Sequence, residues 1–203
     1  RAWASWSATM APTDRAAWAQ GWWGRARRVE SPNEGARPTL VAVELVVLHS
    51  ISLPAGEYGG DAVERLFTNR LDCAAHPSFE DLRALQVSAH FFLRRDGSLL
   101  QFVSCDRRAW HAGVSSWLGR DNCNDWSIGV ELEGLEGQRF APRQYTSLGR
   151  LLKALREHYP IAHLAGHEHV APQRKRDPGP GFDWAQLKTR LRWPASMFPP
   201  SVA

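Results

Sequence analysis

The stretch Leu40-Val41-Ala42-Val43-Glu44-Leu45-Val46-Val47-Leu48-His49 is almost continuously apolar and rich in valine. It is strand-sized, far short of the roughly 20 apolar residues a membrane helix needs. Such a run predicts a strand over 40–49 that is buried on both faces. His49 then stands at the edge of the core, where strand hands over to loop. Before it, residues 31–38 are polar with two prolines and a glycine, and predict a loop leading into the core.

After this strand, Asp61 followed by Glu64 has the form of a capping box, and Val63, Leu66, Phe67 and Leu71 recur at helical spacing. Residues 88–95, Asp96-Gly97 and 98–103 predict a hairpin, with Asp-Gly supplying the two positive-φ positions of a type I′ turn. Residues 127–133 alternate: Ile128, Val130 and Leu132 face one side, and Ser127, Gly129, Glu131 and Glu133 the other. Pro142 opens a long helix with Tyr145, Leu148, Leu151, Leu152, Leu155 and Tyr159 in one stripe, and Pro160 closes it. The apolar step 161–165 has strand character, and Asp183 caps a last helix carrying Trp184, Leu187 and Leu191 inward. The fold class is α/β: a single domain, a mixed central β-sheet flanked by α-helices.

At 203 residues, 43% apolar and 23% charged, the chain has room for one sizeable core. That usage excludes disordered, collagen-like and coiled-coil chains. We expect an N-terminal arm over 1–20, a body over 21–193 and a tail over 194–203. The arm region holds Trp3, Trp6 and Trp18, followed by Trp22 and Trp23, rings that should pack onto the body. The formal charge is +4, but the arginine clusters at 25–28, 94–95, 107–108 and 174–176 are too short for a nucleic-acid surface. A mild positive field suits an anionic small substrate; a solvated arginine-rich surface explains it more simply.

The first 20 residues carry Arg1, Asp14 and Arg15 and no apolar h-region, so no secretory signal is read there; Met10 is a candidate start. Cys73, Cys105 and Cys123 form no CxxC pair, and their odd number fits reduced thiols in a cytoplasm better than a disulfide framework. A monomer is expected.

Eight histidines raise a metal hypothesis. His76, His158 and His163 read as exposed or packed, and His90 as a core or supporting residue of the hairpin strand. His49, His167 and His169 differ. The latter two lie in Gly166-His167-Glu168-His169, and ten residues beyond His167 comes Asp177 in the rigid Asp177-Pro178-Gly179-Pro180-Gly181. Two imidazoles and one carboxylate match a catalytic zinc site with an open position for water. Glu131 and Glu133 share a face with Gly129, which leaves room for a substrate groove beside them. Lys175, two residues before Asp177, is placed to meet a developing oxyanion.

Several segments fall in a familiar order: Ala26-Arg27-Arg28-Val29, Val47-Leu48-His49-Ser50, Val87-Ser88-Ala89-His90, Arg108-Ala109-Trp110-His111-Ala112-Gly113, Cys123-Asn124-Asp125-Trp126, Gly129-Val130-Glu131-Leu132-Glu133-Gly134 and 174–184. Together they closely resemble the AmpD family, the cytoplasmic 1,6-anhydro-N-acetylmuramyl-L-alanine amidases of bacterial cell-wall recycling. The likeness runs over about residues 21–191. It implies a peptidoglycan-recognition-like fold, Zn²⁺ on His49, His167 and Asp177, Glu131 as acid/base and Lys175 as transition-state stabiliser. It thereby prefers His167 over His169 and Glu131 over Glu133. The implied substrate is an anhydromuropeptide, cut between the lactyl carbonyl and L-alanine. Trp110 and His111 are expected to line the groove.

Ser50 stands where relatives often have asparagine, Asn122 replaces an arginine near the sugar, and His169 stands where aspartate is common; these bear on substrate preference. Three rivals remain at this point. One is a muropeptide-binding module without catalysis. Another is a hydrolase using Cys105 or Cys123 with His111 as base, and the third is an exported amidase acting on intact peptidoglycan.

Overall fold

The computed structural model describes residues 18–200. A six-stranded mixed sheet organises it, with strands β1 (Arg27–Arg28), β2 (Leu45–Ile51), β3 (Phe91–Leu93), β4 (Leu99–Gln101), β5 (Ser127–Glu133) and β6 (His163–Gly166). Their order across the sheet is β6-β2-β5-β3-β4-β1. The central strands β6, β2, β5 and β3 run parallel, and β4 returns antiparallel to β3. The helices are α1 (Ala62–Phe67), α2 (Pro142–His158), α3 (His167–Val170) and α4 (Trp184–Leu191). None is long and apolar enough to cross a membrane.

β2 and β5 lie side by side at the centre, which is why both are closed off on both faces. One face packs Val46, Leu48, Ile128, Val130 and Leu132 against the apolar stripe of α2 and against Leu187 and Leu191 of α4. The other receives Leu45 and Val47 with Trp117, Trp126 and Val170, and further along Phe92 and Leu100 with α1. Gln144, fully buried in the first turn of α2, donates from Nε2 to the carbonyls of Leu93 and Glu133 and so ties the helix to the ends of β3 and β5.

The first strand begins five residues later than its composition suggested and ends two later. Leu40 sits at φ 62 in a turn and is fully exposed, and strand register begins at Leu45, opposite Ser127 and His163. His49 thus lies within the strand, near its C-terminal end. Asp61 makes no cap bond; its carboxylate takes Arg65 Nε at 2.7 Å instead, and α1 ends at Phe67, leaving Leu71 outside. The β3–β4 hairpin is present, but only Gly97 has positive φ. Gly97 N–H donates to Arg94 O and Arg94 N–H to Ser98 O, a type I turn followed by a left-handed glycine rather than type I′. Helix α2 begins at Pro142 and α4 behind Asp183, whose carboxylate accepts from Gln186 N–H.

Trp3 and Trp6 lie outside the described residues. Trp18 does pack on the body, stacked on Trp23 and on His158. At the other end Met197 and Phe198, within the stretch read as a tail, are buried in the main core.

Candidate metal centre

Parallel strands carry ligands at their carboxyl ends, and the chemistry-bearing residues collect there. Register pairs His49 of β2 directly with Glu131 of β5, and Gly166, the residue before His167, with Leu48. Asp177 is brought in by the backbone: Glu168 N–H donates to Asp177 O. His49 Nδ1 and His167 Nδ1 are 2.9 Å apart, and each is 3.2 Å from Asp177 Oδ2.

Two donors about 2.0–2.1 Å from a tetrahedral zinc lie about 3.3 Å from each other. The triangle is therefore close to one face of a zinc tetrahedron, and the donor set, two imidazoles and a carboxylate, leaves the fourth vertex to water. His49 and His167 are nearly closed to solvent, at 1% and 4% exposure. Among the described residues this is the one cluster of three or more such side chains with ligand atoms in mutual reach.

The outward nitrogens are also occupied. His167 Nε2 donates to the Ala112 carbonyl at 3.1 Å. His49 Nε2 lies 2.9 Å from His111 Nδ1, and His111 Nε2 lies 3.2 Å from Ser127 Oγ. Burial, then the neighbouring His167, holds the His49 imidazole down to about 4. His111 is also pushed well below the ordinary histidine value, first by burial. For Asp177 burial works upward, but contact with the His167 and His49 imidazoles and their charge outweigh it and keep the carboxyl low.

Glu131 is half-buried, and its Oε2 is sealed from solvent with no hydrogen-bond partner among the described residues. Burial, then the Asp177 charge, raises its carboxyl well above the usual carboxylate range, while Lys175 works against the rise. Glu133, two residues on, is a different case: it accepts from Gly59 N–H at 2.6 Å and Arg95 N–H at 2.9 Å. That carboxylate holds loops together. His169 likewise turns away, its Nδ1 accepting from Gly166 N–H.

A cleft of about 430 Å³ opens beside the cluster, its wall including Ser50, Lys175 and Asp177. Asn122 lies on a neighbouring cleft of about 520 Å³ that shares Arg174 with the first. A larger cavity, about 740 Å³ by Phe140, Tyr145, Phe182 and Trp184, contains none of these groups.

His111 does not line the groove. It is buried behind His49, and its ring fills the space over Gly129, where a Cβ would come within 2.4 Å of it. The gap read beside the glutamates is therefore room for an imidazole, not for substrate. Trp110 is half-buried, and its backbone exchanges hydrogen bonds with Ser88. Cys105 and Cys123 are closed to solvent and burial raises both thiols, while both His111 ring nitrogens face partners other than sulfur, so neither of these cysteines is a nucleophile with His111 as its base. Asn124, to which the sequence assigns no role, accepts through Oδ1 from both His111 N–H and Ala112 N–H. Its place between Cys123 and Asp125 was the sole sequence signal.

Comparison with known proteins agrees with this geometry. The profile of the N-acetylmuramoyl-L-alanine amidases matches residues 39–180. The 1,6-anhydro-N-acetylmuramyl-L-alanine amidase AmpD of Citrobacter freundii is 48% identical over 171 residues, covering 83% of this chain and 91% of that protein. A crystal structure of a selenomethionine derivative of AmpD superposes with TM-score 0.83 at 48% identity, covering 85% of this chain and 98% of the other. The Escherichia coli amidase AmiD, solved with anhydro-N-acetylmuramic acid-L-Ala-D-γ-Glu-L-Lys, gives TM-score 0.55 at 29% identity over 76% of this chain and 60% of its own. With the profile matched across both central strands and all three members of the donor triangle, this chain belongs to the N-acetylmuramoyl-L-alanine amidase family.

Proposed function

We propose that this enzyme is a zinc amidase of peptidoglycan recycling. It hydrolyses the amide between the lactyl group of 1,6-anhydro-N-acetylmuramic acid and L-alanine in small muropeptides. The observation that carries the reading is the triangle of His49 Nδ1, His167 Nδ1 and Asp177 Oδ2 standing beside an unpartnered Glu131 Oε2. Zinc held there supplies Lewis acidity to the scissile carbonyl and acidifies water near neutral pH.

Glu131 takes the proton of the attacking water and returns it to the departing amine of L-alanine. A carboxyl raised by burial holds a proton more readily than an ordinary glutamate, which suits the return of that proton to the amine. Lys175, on the wall of the same cleft, faces the tetrahedral oxyanion with its ammonium. Ser50 meets the substrate beside Asp177, and Asn122, on the adjoining cleft, meets a more distant part of it.

The three cysteines are unpaired, as suits a reducing cytoplasm. The chain acts there as a monomer on a diffusible substrate.

Mass-spectrometric digestion of anhydro-muropeptides and of reducing muropeptides, with and without a chelator, tests the reading. The expected result is chelator-sensitive release of peptide from the anhydro form. Binding of the anhydro form without cleavage would make the chain a recognition module. Equal cleavage of the reducing form would remove the assignment to recycling.

A further inference from the structure

Both proposed imidazole ligands are oriented by one dipeptide, His111-Ala112. The directions of its hydrogen bonds follow from the acceptor-only groups at their ends. The Cys123 carbonyl can only accept, so Ser127 Oγ–H donates to it at 2.5 Å. The hydroxyl then has lone pairs for His111 and no further hydrogen, so His111 Nε2–H donates to Ser127 Oγ. Neutral His111 is left with an Nδ1 lone pair, which accepts Nε2–H of His49. His49 Nδ1 is thereby the free electron pair.

On the second ligand the logic is shorter. The Ala112 carbonyl accepts His167 Nε2–H, which leaves the Nδ1 lone pair of His167 aimed at the same point. Arg174 occupies the carbonyl's other lone pair at 2.6 Å and also binds Val114 O at 2.9 Å, holding the loop down. The dipeptide itself hangs from a single atom. Asn124 Oδ1 accepts His111 N–H at 3.1 Å and Ala112 N–H at 2.8 Å.

We propose that His111-Ala112, suspended from Asn124 and terminated by Ser127, is a shared cradle that fixes the Nε2–H tautomer of His49 and of His167 and so sets the metal affinity of the site. His111, Asn124 and Ser127 are positioning residues in this account. The inference rests on the zinc reading above. Outer partners of ligating histidines typically contribute about 10–100-fold in affinity.

The test uses the full chain in two measurements. The first is ¹⁵N-histidine NMR of the parent, with and without zinc. Both His49 and His167 should carry hydrogen on Nε2 in the metal-free chain and keep it there when zinc is added. Either ring protonated on Nδ1 without metal, or bound through Nε2 with it, overturns the proposal.

The second is zinc affinity by competition with a chromophoric chelator. Asn124→Ala and His111→Leu should each weaken zinc about 10–100-fold. His111→Asn, whose Oδ1 can replace the accepting Nδ1, should recover most of the loss, and so should Asn124→Asp, which keeps the acceptor. Affinities within twofold of the parent for both Asn124→Ala and His111→Leu overturn the proposal, as does failure of both conservative variants to exceed them. Should His111→Leu not fold, Asn124→Ala and the parent's tautomers decide alone. A parent that binds no zinc refutes the amidase reading instead, while the tautomers of the metal-free chain still judge the cradle.

Discussion

The two faces of the central sheet are both largely closed to solvent but built of different matter. Towards α2 and α4 the side chains of β2 and β5 are Val46, Leu48, Ile128, Val130 and Leu132, all without polar atoms and all fully buried. On the opposite face the same strands present, besides Leu45 and Val47, the residues His49, Ser127, Gly129, Glu131 and Glu133. There each polar atom needs a partner, because leaving one unpaired costs about 1–3 kcal/mol. Nearly all have one; Glu131 Oε2 does not. The apolar face supplies stability, and the polar face uses part of it to keep one carboxylate oxygen unsatisfied next to three converging ligand atoms.

Substitutions should separate the faces. Glu131→Gln should lower amidase turnover about 10²–10⁴-fold while zinc content stays at the parental value. Turnover near the parental rate would leave the acid/base role without a holder. Lys175→Ala follows, with a loss of about 10²–10³ in turnover, again at constant zinc. A changed KM with unchanged kcat would make Lys175 a binding group instead. On the other face Leu148→Ala, in the centre of α2 and fully buried, should cost about 2–5 kcal/mol in denaturant unfolding and leave the zinc affinity of the folded fraction unmoved. Lost affinity there would show that the faces are coupled through the sheet.

The smallest effect expected is on acid stability. Burial holds His49 at about 4 and His90 at about 3, whereas unfolded histidine titrates near 6.5. Below about pH 6.5 the unfolded chain therefore binds more protons than the fold. This contribution to stability is whole above that pH and is lost as pH falls towards about 4. The lowered Asp177 acts with the same sign further down, and the raised Glu131 opposes both. Thermal melts of metal-free protein should thus show Tm falling from about pH 7 to about pH 4, and a flat profile would mean that these imidazoles are not held neutral.

How far these faces could be read from sequence depended on what specifies them. Ser127–Glu133 was bounded correctly because strict alternation and flanking polar residues mark both ends. Its surroundings were not: two glutamates beside Gly129 read as flanking a substrate groove, whereas the ring of His111, from a loop fifteen residues or more earlier, lies over Gly129. An apolar run fixes burial but not where pairing begins, which placed the first strand five residues early. Asp-Gly marked the hairpin but not the number of loop residues that selects its turn type. The proposed ligands His49, His167 and Asp177 were recognisable by residue type and by family likeness, while the convergence of the two histidines depends on parallel register, a long-range property. The roles of Asn124 and Ser127 rest on bonds to the backbone of His111 and Ala112 and to the His111 ring, all more than ten residues away, and no local pattern announces such bonds.

The account turns on a single centre made of two imidazoles and a carboxylate, and zinc K-edge absorption spectroscopy of the purified chain examines it most directly. One zinc per chain, with two imidazole nitrogens and oxygen donors at about 2.0–2.2 Å and no sulfur near about 2.3 Å, is the result predicted. Sulfur in the first coordination sphere, a different number of imidazoles, or a chain that retains no zinc while cleaving muropeptides would contradict it.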